Sequence, residues 1–379
     1  MNSQNIKNTL KRYKQYVPPF LGRLGTGIWK SLEIPLGALL ERRAILKGQR
    51  IVWPVAEVAD FERALLLGPT SSDALVQVDF TLISPGTERA QLQGLVGNDF
   101  PYYAGYSGCG EVISVGKNIT RFQKGDRVAG RIPHKSPATV QEQYLFRIPE
   151  NVSMEQAAFI ELGIIVLQGI HKAQIQPGES ALVLGQGLIG QLANRLSRIA
   201  GAAPIIAVAR SKAKEKAAVN DWGADEFLTS DELNEAEPSD GYDLVIETTG
   251  DANILPIASR FARKGGRIIG LGTPRGRGRI SLGQNGARPG VRIIGAHISG
   301  IPQYERAPGL WTYQSEGRLF LDLVARHKLM VDDLISQKAD PMSANSVYES
   351  LLNENPGIIG VLFDWRSCGP RRAKFNFKG

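Results

Sequence analysis

The strongest constraint on how this chain folds is one short loop and the residues on either side of it. Ser180 to Leu184 (SALVL) is an apolar run too short for a helix, and Gly185-Gln186-Gly187-Leu188-Ile189-Gly190 follows it directly. Leu192 to Ala200 then has helical periodicity, and Pro204 to Ala209 (PIIAVA) reads as the next buried strand. A lone GxGxxG string is common, but between a strand and a helix it carries a mechanism. Gly185 permits the tight turn out of the strand, Gly187 lets the backbone approach a ligand, and Gly190 lets helix and strand pack closely. A pyrophosphate placed there, against Leu188 and Ile189 in the first turn, meets the positive end of the helix. The plain alternative is a loop with a structural role only.

The same pattern recurs downstream. Asp243 to Glu247 (DLVIE) and Gly266 to Gly270 (GRIIG) are further short strands separated by helical stretches, so Leu182 to Leu271 reads as a Rossmann-type dinucleotide-binding unit with a doubly wound parallel sheet. NAD-binding folds place a carboxylate at the end of the second strand to read the ribose hydroxyls. Here that strand ends Val208-Ala209-Arg210-Ser211-Lys212, with no acid before Glu215. A carboxylate would repel a 2′-phosphate, whereas the Arg210 guanidinium can grip one, with Ser211 and Lys212 adding a donor and a charge. The local composition therefore favours NADP(H). The bland reading is a set of solvated residues at a helix start.

Residues before 150 have a different texture. Ala74 to Asp79 (ALVQVD) and Gly110 to Val115 (GEVISV) alternate like half-buried strands, and Lys124 to Val128 is a turn entering another. A mostly β domain precedes the α/β one, and 379 residues suit about two domains. Cys109 and Cys368 are too few for a disulfide framework, and no secretory pattern or long apolar run is present, so a cytoplasmic setting is the expectation.

The net charge of +8 is uneven: residues 1–48 carry +7 and residues 366–379 carry +5, leaving −4 on the remainder. The basicity belongs to the ends and points to no nucleic-acid partner. Ile6, Leu10, Tyr13 and Val17 recur at helical spacing among lysines and an arginine, and Pro18-Pro19 stops that helix. The first 48 residues thus read as a basic extension, either resting on an anionic membrane surface or docked on the protein's own body or a partner.

The ordered set Ser84-Pro85-Gly86-Thr87-Glu88, Ala104 to Gly116 (AGYSGCGEVISVG), Gly125-Asp126-Arg127-Val128, the 185–190 loop, Gly223-Ala224-Asp225 and Tyr242 to Gly250 (YDLVIETTG) resembles the medium-chain dehydrogenase/reductase superfamily. The resemblance implies a Rossmann domain (168–305) inserted in a mostly β, GroES-like catalytic domain (49–167 and 306–379), with the active site between them. It also implies cofactor contacts at Thr249 and Gly272, a small-molecule substrate and a homo-oligomer. Zinc members carry Cys-Gly-Thr-Asp and Gly-His-Glu where this chain has Pro85-Gly86-Thr87-Glu88 and Gly105-Tyr106-Ser107, and the four-cysteine lobe is missing. Catalytic zinc needs about three protein ligands, and Glu161 alone does not supply them, so no metal is expected.

Without a metal, a carbonyl must be polarised by hydrogen-bond donors. Thr87 matches the family's relay hydroxyl. Tyr106, at the former histidine position, is placed to donate to a substrate oxygen, or else is a packed aromatic under the cleft. Glu161 would orient Tyr106 or act as base, with Glu88 a weaker candidate. A looser similarity links the chain to the subgroup of bacteriochlorophyllide dehydrogenase and dehydrogenase-like proteins of secondary metabolism. Arg275, Arg277 and Arg279, in a glycine-rich loop, either close over an anion or are solvated. The leading expectation is an NADP(H)-dependent, zinc-independent oxidoreductase acting on an alcohol or carbonyl. A zinc-free enoyl or quinone reductase and a non-catalytic NADP(H)-binding protein are the alternatives.

Overall fold

The computed structural model describes residues 44–368 apart from 221–222, 237–239, 273–274, 277, 280–287, 303–310, 354 and 356. Most of the N-terminal extension and the basic tail from 369 onward, and with them the membrane or partner contact expected of residues 1–48, lie outside the described residues.

The chain opens as a hairpin of β1 (Ile45–Val55) and β2 (Val58–Leu67), paired in register from Ile45↔Leu67 to Val52↔Asp60. This corrects the sequence boundary at residue 48. Residues 45–48 alternate in burial, with Leu46 inside, and belong to the first strand. Their pattern is masked in the sequence by the apolar and arginine-rich run before them.

Next come β3 (Asp73–Ile83), α1 (Pro85–Leu92), β4 (Gly108–Val115), β5 (Arg127–Gly130), β6 (Lys135–Ser136), β7 (Ala138–Gln141) and β8 (Leu145–Arg147). The long helix α2 (Ile160–Ala173) then carries the chain into β9 (Ala181–Leu184), α3 (Leu188–Ile199), β10 (Ile205–Ala209), β11 (Glu226–Thr229), β12 (Tyr242–Glu247), α4 (Ile254–Phe261), β13 (Ala262–Gly270) and β14 (Arg292–Gly295). The described chain closes with α5 (Tyr313–Ala325), β15 (Ile335–Ala339), α6 (Ala344–Leu352) and β16 (Gly360–Asp364).

Strands β9 to β14 form one parallel sheet in the order β11-β10-β9-β12-β13-β14. All four residues of β9 are buried, as expected for a parallel strand covered on both faces. One face packs Leu182, Leu184, Val208, Val245 and Phe261, and the other packs Val183, Ala207 and Ile246 against α2 and α3. Strand order reverses between β9 and β12, which opens a crevice beyond their carboxyl ends.

A second sheet runs β15-β16-β3-β4-β5-β8, with β7 also on β3. Its last strand, β16, pairs antiparallel with β3 from Val361↔Ile83 to Asp364↔Phe80, so late sequence completes an early sheet. Helix α2 is apolar nearly all round and correspondingly buried, and α5 lies along it. No helix among the described residues is long and apolar enough to cross a membrane.

Candidate active site

The crevice between the sheets encloses a cavity of about 590 Å³. The glycine loop forms one wall. Gly185 sits at φ +97°, and a Cβ there would fall 2.7 Å from the Thr248 hydroxyl, so the turn requires glycine. A Cβ on Gly190 would run into the Gly185 carbonyl, and its absence lets α3 press onto β9. At Gly187, the residue capping α3, an added Cβ meets no protein atom within 4 Å. That openness, the twelve-residue helix behind it and the wall positions of Gly187, Leu188, Ile189, Thr249 and Gly272 fit the pyrophosphate-bearing part of a dinucleotide. Thr248 donates to the Leu184 and Gly185 carbonyls and so fixes the turn from below.

Arg210, Ser211 and Lys212 follow β10 as exposed residues beside the loop and are not part of the cavity wall. Lys212 pairs with Glu232 at 3.5 Å across solvent. Lys214, unnoticed in the sequence, has its pKa lowered by burial and then by the nearby charges of Arg210 and Arg89. Arg89 projects from α1, in the other domain, so cations from both sides converge near the end of β10.

Thr87, Tyr106 and Glu161, the three catalytic candidates, all line the cavity. Tyr106 lines the cavity beside Ser84 and Thr87, whose side chains favour its ionised form. Burial raises its pKa, and the charges of Glu88 and Glu161 add to that. The phenol therefore stays protonated at neutral pH.

Two expectations need correction. Glu161 makes no hydrogen bond to Tyr106. Its Oε1 accepts from the Tyr313 hydroxyl, and its Oε2 lies 3.6 Å from Arg131 Nε. Helix α2 starts one residue earlier and aims this side chain at α5 rather than at the tyrosine. Glu88 is not in the cavity wall. It is fully buried, accepts from the Ser84 amide and the Tyr348 hydroxyl, and faces His134 Nε2 at 3.1 Å. It is a structural carboxylate beneath the site.

Arg131, Tyr144 and Tyr313 also line the cavity and had no signal in the sequence. The Arg131 guanidinium lies over Tyr144 at 4.5 Å and Tyr313 at 5.2 Å. Of the arginine loop, Arg275 reaches the cavity and donates to the Thr249 carbonyl at 2.8 Å, Arg279 is exposed, and Arg277 lies outside the described residues. Among the described residues no three His, Cys, Asp or Glu side chains cluster as a metal site.

Comparisons with known proteins agree with this architecture. The alcohol dehydrogenase GroES-like domain model matches residues 70–161, and the zinc-binding dehydrogenase model matches residues 189–311. The chain is 26% identical over 273 residues to (R,R)-butanediol dehydrogenase of Bacillus subtilis (strain 168), covering 62% of this chain and 76% of the relative. A structure from Sinorhizobium meliloti 1021, described as a zinc-binding dehydrogenase and bound to NADP, superposes with a TM-score of 0.70 at 21% identity, covering 84% of this chain and 99% of the other. An Escherichia coli CFT073 alcohol dehydrogenase complexed with NADH gives 0.72 at 18% identity, with coverage of 84% and 99%.

Burial lifts the Glu161 carboxyl from 4.5 to about 7, against the opposing pull of Arg131 and Tyr313. The fold therefore holds this proton more tightly than the unfolded chain does. The stability it contributes is complete below about pH 4.5 and is lost as pH rises through about 7. Glu161→Gln keeps an acceptor for Tyr313 and removes the titration. The stability of wild type relative to this variant is expected to fall by about 3 kcal/mol between those limits. Denaturant titrations at both ends check it, and parallel pH–stability curves for the two proteins would rule it out.

Proposed function

Because the chain belongs to the medium-chain dehydrogenase/reductase superfamily, we propose that it is an NADP(H)-dependent, zinc-independent oxidoreductase that interconverts an alcohol and its carbonyl compound. The observation that carries this reading is one cavity walled by the open glycine cradle on one side and by Tyr106 with Thr87 on the other. The cofactor supplies or accepts the hydride. Gly187 and the first turn of α3 would hold its pyrophosphate, and Arg210, Ser211 and Lys212 its 2′-phosphate.

Tyr106 takes the place a metal would fill. Its un-ionised hydroxyl donates to the substrate oxygen, and the Ser84 and Thr87 hydroxyls hold it in place and pass the proton. The residues at the metal-ligand positions do not fit zinc. Proline offers no donor at 85, and Tyr106 is a phenol whose burial disfavours the ionised form that a metal would bind.

Three outcomes are expected. The full chain oxidises NADPH with members of a panel of aldehydes and ketones, and Tyr106→Phe lowers kcat by about 10²-fold or more while NADPH still binds. Turnover confined to enones would move the activity to double-bond reduction, and silence on every class would leave a nucleotide-binding protein. After dialysis against a chelator, elemental analysis shows no stoichiometric zinc, and about one zinc per chain would overturn the metal reading. Finally, Arg210→Asp weakens NADPH about tenfold to a hundredfold and holds or improves NADH, since the change replaces a phosphate partner with a repelling charge. Wild-type protein binding NADH more tightly than NADPH would make Arg210 a solvated residue and the cofactor NAD(H).

A further inference from the structure

We propose that Arg131 and Glu161 form a carboxylate-binding subsite, so that the substrate is an alcohol or carbonyl compound carrying its own carboxylate. This rests on the oxidoreductase reading of the same cavity and specifies what enters it.

Arg131 follows β5 and presents a side chain 39% exposed at the cavity wall. Its guanidinium is oriented by the two tyrosine faces, so little further ordering is needed to bind. The acid beside it, Glu161, stands 3.6 Å away, beyond hydrogen-bonding distance. Arg275, the other described arginine in the wall, already donates to the Thr249 carbonyl.

The second observation is on Glu161 itself. Its side chain is fully buried and lines the cavity, yet Oε2 has no hydrogen-bond partner. Buried polar atoms are almost always partnered, and an orphan facing a fixed guanidinium marks the place of a third group. Oε1 accepts from Tyr313, which leaves the proton of the neutral acid to Oε2. A carboxylate is the group that completes this arrangement. It accepts the paired N–H groups of Arg131 in their planar fork and the O–H of Glu161. A phosphate dianion meets the same donors but suffers more from the neighbouring acid whenever that acid ionises, and the flanking tyrosine rings favour a planar group.

Binding to the full chain is measured by calorimetry with NADPH present and absent, using para-formylbenzoate, para-formylphenyl phosphate and benzaldehyde, and NADPH oxidation is followed in parallel. Para-formylbenzoate is expected to bind about tenfold or more tightly than benzaldehyde, with the phosphate between them. Arg131→Gln reduces that advantage to about twofold or less, and Arg131→Lys keeps part of it because the charge remains without the fork. Equal affinities for the three compounds, tightest binding of the phosphate, or an advantage surviving in Arg131→Gln would each overturn the subsite. Arg131-dependent binding without oxidation of NADPH by any aldehyde upholds the subsite and defeats the oxidoreductase reading. Turnover of benzaldehyde and para-formylbenzoate with equal KM does the reverse.

Discussion

Everything at the cleft depends on one contact, the seating of the Phe320 ring against Gly163. A Cβ at Gly163 would collide with that ring, so glycine alone lets α5 approach α2 at this depth. Helix α2 carries Glu161 at its first turn and packs against the parallel sheet along its length. Helix α5 carries Tyr313 at its own first turn, capped by Thr312 and Ser315. Bringing the two helix starts together puts the phenol on the carboxylate, and both on the cavity that the glycine loop faces. Close-packed interiors transmit such constraints because they have little room to yield.

The electrostatics of the cleft follow from this packing. Water is excluded from Glu161, so its charge is disfavoured there although a guanidinium stands nearby. Tyr106 is also held in its protonated form by burial, with Glu88 and Glu161 contributing in the same direction. The result is a site rich in donors and poor in fixed negative charge, facing a helix N-terminus. Hydride chemistry at a carbonyl needs such a setting, because negative charge develops on the substrate oxygen.

Much of this was legible in the sequence, for local reasons. The strand–loop–helix at 180–200 announces itself because apolar runs and glycine spacing are properties of neighbouring residues, and strands β9, β10 and β12 fall within a residue or two of where the pattern puts them. The family's pattern singles out Tyr106 by its departure at the histidine position, Thr87 by a kept hydroxyl and Glu161 by its place in the third ligand region, and the fold brings all three to one cavity. Arg131, Tyr144 and Tyr313 left no trace because they come from a strand end, a turn and a distant helix, and nothing in any one segment encodes their convergence. Glu88 misled for the same reason. Its partners His134 and Tyr348 lie 46 and 260 residues away, so a carboxylate satisfied inside the protein resembled one available for chemistry.

The placement of β16 has a consequence for how the protein is made. Trp365 donates from its indole nitrogen to Thr81, 284 residues earlier, and β16 covers the second half of β3 along the edge that β7 covers for the first half. During synthesis the parallel sheet, whose strands span residues 181–295, can complete its pairing while the second half of β3, already paired with β4 on its other edge, still lacks β16. Contacts so distant in sequence form slowly, since a long loop must close before any pairing rewards it. One open edge of buried character, Phe80 to Ile83, therefore waits until residues 360–364 are made, and in that interval the nascent chain is open to mispairing with other strands.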